Sequence, residues 1–76
     1  MNFDRIVVDP ARMNGQPCLA GTRLTVRRIV ELVALYPDRT ELKREFPELD
    51  DTGIQQALAY AAANLPDRAF PWAESA

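Results

Sequence analysis

The chain contains no histidine, and Cys18 is its single cysteine among 76 residues. One cysteine cannot form an internal disulfide, and without histidine too few soft ligands remain for a structural zinc site. Histidine is also the side chain that most often moves a proton or activates a nucleophile. We therefore expect no metal, no cofactor and no enzymatic activity, and we interpret Cys18 as a buried, inert thiol.

Long apolar runs are also missing. No segment approaches the ~20 apolar residues that a membrane-spanning helix needs. Asp4 and Arg5 lie where a signal peptide would carry its apolar segment. A lone thiol is typical of a reducing compartment. These features predict a soluble, cytoplasmic protein that makes no membrane contact.

The length of the chain predicts one small domain. A chain of this size buries only about 60% of the surface that its unfolded form exposes. Neither a disulfide nor a metal can reinforce it, so we expect a homodimer. We assign residues 1–65 to the folded domain and residues 66–76 to a C-terminal tail that is rich in proline and aromatic residues.

Charge is unevenly distributed although the net charge is only −2. Residues 1–38 carry five arginines and four acids, whereas residues 39–76 carry seven acids and four bases. Arg23, Arg27 and Arg28 form a local cluster that predicts one basic patch.

Two short extended segments are predicted before the helical part. Residues 5–8 are β-prone and end at a proline, and residues 18–24 form a second extended piece. Asn14-Gly15 and Gly21 are turn signals, because these residue types tolerate a positive φ. The two pieces predict a β-arm too thin to stand alone, which we expect to pair across the two-fold axis of a dimer.

Three helices follow. Thr25 is predicted to cap the first, Thr40 to cap a second over residues 41–46, and Asp50 to cap a third over residues 51–63. Pro37 and Pro47 end the first two. Asn64 is predicted to close the third in a left-handed conformation, before Pro66. The expected apolar faces comprise Val26, Ile29, Val30, Leu32, Val33, Leu35 and Tyr36 in the first helix and Ile54, Ala57, Leu58, Ala61 and Leu65 in the third.

The last two helices are joined by about four residues, the length of a helix–turn–helix connection. Leu49 is predicted to fill the angle between them. The fold class is therefore mostly α: a short N-terminal β-arm followed by three helices.

Several motifs resemble the bacterial domain-of-unknown-function family numbered 433. They are Ile6 to Pro10, Gly15-Gln16-Pro17, Gly21-Thr22-Arg23-Leu24 with Val26, Phe46-Pro47 with Leu49, and Ile54 with Ala57-Leu58 and Tyr60-Ala61. The resemblance implies a homeodomain-like helix–turn–helix protein. It also implies the role of an antitoxin beside a PIN-like ribonuclease toxin. The chain departs from that family at Leu35-Tyr36-Pro37-Asp38, which lacks a glycine, and at Gly53, where the family usually has an acid.

DNA contacts are predicted at two places. Thr22 and Arg23 could hold a phosphate, or Arg23 could brace the joint by pairing with a carboxylate such as Asp9 or by donating to backbone carbonyls. Gln55 and Gln56, expected on the outward side of the third helix, could read adenine or could simply be solvated. Acids at the start of this helix oppose phosphate binding, so the positive charge would come from Arg23, Arg27, Arg28, Arg39, Lys43 and Arg44.

Phe70 and Trp72 flank Pro71 in the tail. Either these aromatic side chains dock into a groove of a toxin, or they fold back over their own core or onto the second subunit.

Three functions fit these features. The leading hypothesis is an antitoxin that binds and neutralises a PIN-like ribonuclease toxin, with or without a second role in binding promoter DNA. The alternatives are a stand-alone helix–turn–helix DNA-binding regulator and a structural dimerisation module.

Overall fold

A computed structural model describes residues 3–66 of the chain. Its elements are β1 (Ile6–Val7), a single turn at Met13–Gly15, β2 (Cys18–Leu19), α1 (Val26–Leu35), α2 (Arg39–Glu45) and α3 (Asp51–Ala63). The mostly helical fold with a short N-terminal two-stranded sheet is confirmed. Within the described residues, no helix is long and apolar enough to cross a membrane.

The sheet is smaller than predicted. β1 and β2 are antiparallel, with Ile6 opposite Leu19 and Val7 opposite Cys18. β2 stops at Leu19 because the chain turns immediately. The Thr22 hydroxyl donates to the Leu19 carbonyl at 2.9 Å, and the Leu19 N–H donates to the Leu24 carbonyl at 3.0 Å. Residues 18–24 are therefore a strand followed by a tight reversal.

Two left-handed turns shape the segment before α1, as the turn residues predicted. Asn14 and Gly15 have φ values of 58° and 76°, and Gly21 has a φ of 79°. Met13 shares the first turn with a φ of 50°, although its side chain disfavours that region. The second turn returns the chain to Thr25, which bridges to Cys18.

Capping residues fix the helix starts. The Thr25 side chain accepts the Arg28 N–H, and the Asp50 side chain accepts the Gly53 N–H, so both predicted caps are confirmed. The predicted Thr40 cap is wrong. Asp38 caps α2 by accepting the N–H groups of Thr40 and Glu41, so that α2 begins at Arg39. The carboxylate of Asp38 lies one residue before the helix, where its oxygen reaches the orphan donors.

The predicted end of α3 is also wrong in detail. Asn64 has φ −104° and ψ 3°, which is not left-handed. Its side-chain amide donates to the Tyr60 carbonyl at 2.8 Å, which also accepts the Asn64 backbone N–H at 3.2 Å, so Asn64 caps the helix end through both groups.

One apolar cluster holds the elements together. Its buried members are Leu19, Val26, Ile29, Leu32, Leu42, Leu49, Ile54 and Ala57. α1 packs mainly against α3, and Leu49 fills the α2–α3 turn as predicted. Leu35 and Leu65, predicted to be buried, are 66% and 69% exposed because they lie at or beyond the helix ends and off the core face.

Candidate functional site

The reversal between β2 and α1 leaves Thr22 and Arg23 in different environments. The Thr22 hydroxyl donates to the Leu19 carbonyl and accepts the Leu24 N–H at 3.1 Å. Its bonding capacity is therefore used within the turn. Arg23 is exposed and, among residues 3–66, forms no ion pair within 4.0 Å, with Asp9 or any other acid. The predicted brace is absent from the described part of the chain, and the guanidinium of Arg23 is accessible to a ligand.

Arg12 is a neighbour of Arg23 that sequence reasoning missed. The two arginines line a shallow depression of about 240 Å³ together with Ala11 and Met13. Arg12 Nη2 donates to the Thr22 carbonyl at 3.3 Å. The left-handed turn at Met13–Gly15 brings Arg12 back toward Thr22. The Asn14-Gly15 turn signal could have indicated this proximity.

Arg27 and Arg28 lie exposed in the first turn of α1. Both approach the same carboxylate, Glu31, at 3.8 Å and 3.7 Å. Exposed pairs of this kind contribute at most about 1 kcal/mol each. Glu31 nevertheless offsets part of the positive charge that the cluster offers to an anion.

α2 and the following turn carry mostly negative charge. Six exposed acids lie here against the three bases Arg39, Lys43 and Arg44. We call these acids the acidic surface; they are Asp38, Glu41, Glu45, Glu48, Asp50 and Asp51. Lys43, a predicted DNA contact, is 3.0 Å from Asp51 Oδ1, so its charge is already partnered; Arg44 is exposed in the last turn of α2.

The two glutamines of α3 differ sharply. Gln55 is exposed, as predicted, whereas Gln56 is only 8% exposed. Gln56 Oε1 accepts the Arg5 N–H at 2.8 Å, and Gln56 Nε2 donates to Asp4 Oδ1 at 2.7 Å. The prediction that Gln56 faces outward to read DNA is wrong, because its amide is used to attach the N-terminal segment to α3.

A second polar contact joins the same segments. The Arg5 guanidinium donates to both carboxylate oxygens of Asp50 at 3.1 Å and 3.2 Å. The Gly53 N–H donates to Asp50 Oδ1 at 2.7 Å, and this bond is the main cause that lowers the pKa of Asp50 from its ordinary 3.8. Desolvation opposes the shift, and Arg5 adds to it. Asp50 therefore stays charged while it caps α3.

An open apolar groove lies between the first half of α1 and the end of α3. Its volume is about 450 Å³. Its apolar lining comprises Pro17, Val26, Val30, Tyr60, Ala61 and Leu65. Gln16, Arg27, Glu31 and Asn64 complete the wall with polar groups. We refer to it as the apolar groove.

Two further sequence predictions concern the thiol and the tail. Cys18 is buried, as predicted, and its Sγ lies 3.2 Å from the Gln16 carbonyl, to which it donates. Phe70 and Trp72, the predicted toxin contacts, lie outside the described residues.

Fold and surfaces together define a small three-helix domain with an N-terminal β-arm, an acidic surface on α2 and an apolar groove on α1 and α3. Residues 6–61 match the family described as "Protein of unknown function (DUF433)". Because this match covers most of the chain, the protein belongs to that family, as its motifs indicated. No curated protein and no solved structure matches the chain.

Proposed function

We propose that this protein is an antitoxin that binds and neutralises a PIN-like ribonuclease toxin. The observation that carries the proposal is the acidic surface on α2 and the α2–α3 turn. The kind of partner comes from the family resemblance. A protein that handles RNA presents positive charge to phosphates, and a surface of opposite sign is suited to cover it.

The position of the acids favours a protein partner over DNA on this side of the molecule. Glu48, Asp50 and Asp51 are exposed at the start of α3, the end that a recognition helix normally inserts into the major groove. Gln56 is buried, so on the first turns of α3 only Gln55 remains of the two glutamines proposed to read bases. Asp50 is paired with Arg5 and Asp51 with Lys43, so among the described residues Glu48 and the acids of α2 supply the charge that would repel phosphates and attract basic side chains of a ribonuclease.

The tail supplies the apolar part of the proposed interface. Phe70 and Trp72 are large aromatic side chains of the type that carries most binding energy in protein interfaces. The acidic surface would then raise the association rate, and the aromatic side chains would slow dissociation.

A homodimer through the β-arm belongs to the same proposal. Among the described residues β1 pairs with β2 only, so no strand lies at its other edge, where the Ile6 N–H donates to the Phe3 carbonyl at 3.0 Å. Val7 and Val8 are 39% and 56% exposed there. An open edge with apolar side chains favours pairing with a second copy. Sedimentation velocity should give twice the chain mass, and a monomer at micromolar concentration would contradict the dimer.

The experiment takes a PIN-like ribonuclease from the adjacent gene, where the proposal expects one, and measures its affinity for this protein by calorimetry. We expect Glu45→Gln/Glu48→Gln to weaken binding about tenfold at low salt, and less at high salt, since screened surface charges contribute less. Ala62→Lys/Ala63→Lys raises the net charge by the same amount at the exposed end of α3 and should change affinity much less. Equal losses in the two variants, or no binding by the wild-type chain, would contradict the proposal.

DNA binding remains a second candidate because of one specific observation. Arg12 and Arg23 line one depression, and no acid is among its lining residues. Two guanidiniums so placed are suited to bind a backbone phosphate. A gel shift on the upstream region of the gene should weaken in Arg23→Ala and with added salt. An absent shift at low salt would exclude this candidate.

A further inference from the structure

The apolar groove is a surface to which the first candidate function assigns no role. It has a volume of about 450 Å³, within the range of about 300–1,000 Å³ typical of sites that hold a compact apolar ligand. Tyr60 and Val30 are only half-buried in its wall, and Leu65 exposes most of its side chain beside it. Covering these groups would remove apolar surface from water, which is favourable.

We propose that the tail of the same chain, residues 67–76, occupies this groove, with Phe70 and Trp72 as the inserted side chains. The inference does not rest on the proposed antitoxin function. It gives the aromatic residues a binding site within the domain, which any partner that takes the tail would have to displace.

Continuity of the chain favours this occupant. Leu65 lines the groove and Pro66, which follows it, is the last described residue, so the described part of the chain ends beside the groove. Trp72 is seven residues beyond Leu65. At roughly 3.3 Å per residue, an extended segment of this length spans about 23 Å. Val26 and Val30, which mark the groove along α1, are only about 6 Å apart along the helix axis.

The sequence of the tail fits an extended occupant. Pro66 and Pro71 restrict φ and exclude a helical continuation. In an extended segment, alternate side chains lie on the same side. Phe70 and Trp72 are separated by one residue, so both can face the groove at once.

The polar groups of the wall complement a tryptophan. A buried indole N–H requires an acceptor. Glu31, Gln16 and Asn64 line the groove and supply carboxylate or amide oxygens. The groove thus offers an apolar floor for the rings and acceptors for the one polar group that Trp72 carries.

Trp72 is the only tryptophan, so its fluorescence reports on the tail without a label. In the full chain we expect an emission maximum typical of a shielded indole and weak quenching by acrylamide. Val30→Glu places a charge in the groove and should shift the emission to longer wavelength and raise quenching several-fold. Ala34→Glu, on an exposed part of α1 outside the groove, should leave both unchanged.

Leu65→Glu provides a second groove variant, because Val30 also packs against the core and its substitution could unfold the domain, whereas Leu65 lines the groove and is 69% exposed. Far-UV circular dichroism checks folding in each variant. A solvent-exposed Trp72 in the wild-type chain, or shielding that survives in a folded groove variant, would overturn the proposal.

Dilution distinguishes the tail of the same chain from that of a second copy. Shielding that stays constant while dilution converts the proposed dimer to monomers, or in a chain that is monomeric throughout, supports an occupant from the same chain. Shielding lost on dilution as the mass halves would show that a second copy fills the groove, and the proposal would be wrong.

Discussion

At the scale of single residues, Gln56 and Asp50 attach the N-terminal segment to α3. Asp4 and Arg5 contact Gln56 through its amide, and Arg5 also contacts the carboxylate of Asp50. Phe3 adds an edge-to-face contact with Tyr60 at 5.4 Å between ring centroids. The β-arm is thus held by specific polar contacts as well as by the packing of Leu19.

Gln56→Ala should destabilise the protein by about 1–3 kcal/mol, because the partly buried Arg5 N–H loses its acceptor. Gln55→Ala, one residue away and exposed, should change stability by less than about 0.5 kcal/mol. Urea unfolding of both variants gives the comparison. Equal effects would mean that the amide of Gln56 is not the attachment point.

Asp50 predicts a pH dependence. Its pKa in the folded protein is lowered, so its contribution to stability is present above the unfolded value of 3.8 and is lost as the pH falls through the lowered pKa. Asp50→Asn keeps a capping oxygen but removes the charge. Its melting temperature should be lower than that of the wild type at pH 7, with the gap closing below pH 3.8.

Glu45→Gln removes the same charge from an exposed position on α2 and serves as the control for net charge. A gap between Asp50→Asn and the wild type that stays constant with pH would contradict the assignment of the pKa shift to Asp50.

Gln55 and Gln56 show which side-chain environments could be predicted from the sequence and which could not. Helical spacing predicted that both lie off the apolar face, and only Gln55 does. The partners of Gln56 are 51 and 52 positions away in the chain, so no local sequence pattern predicts these contacts. Contacts of such long sequence separation depend on the folded arrangement.

At the scale of elements, caps and prolines encode most of the helix boundaries. α3 occupies the predicted range 51–63, because Asp50 and Pro66 act within a few residues of its ends. α2 was predicted at 41–46 and lies at Arg39–Glu45. Asp38 and Thr40 are both good caps two residues apart, and propensity alone does not choose between them.

Substitutions at these two positions test the start of α2. Asp38→Ala should cost about 1 kcal/mol, since two N–H groups lose their acceptor. Thr40→Ala should cost less than about 0.5 kcal/mol, because its hydroxyl is not the cap. Thermal unfolding of the two variants shows which residue caps α2. A larger loss of stability in Thr40→Ala than in Asp38→Ala would mean that Thr40 is the cap, as predicted from sequence.

At the scale of the whole molecule, charge and apolar surface are separated. The acidic surface follows α2 and the turn after it, while the apolar groove lies between α1 and the end of α3. The uneven charge of the two halves predicted the first feature. The groove could not be predicted, because the residues that line it come from the loop before β2, from α1 and from the end of α3, and they meet only in the folded domain.

This separation supports a two-part account of partner binding. In the proposed function the acidic surface would attract a basic protein, and the aromatic tail would leave the groove proposed for it to anchor that protein. The β-arm, with an open edge at β1, provides the proposed dimer contact. Each part uses a different set of residues, so the parts can be tested separately.

The central claim is that the protein neutralises a ribonuclease, and an inhibition titration tests it most directly. Full-length protein is added to a PIN-like ribonuclease from the adjacent gene, where the account expects one, while cleavage of a fluorogenic RNA is followed. The account predicts that cleavage falls linearly to zero as the chain approaches a fixed stoichiometric ratio to the enzyme. Undiminished cleavage at a large excess of the chain would contradict it.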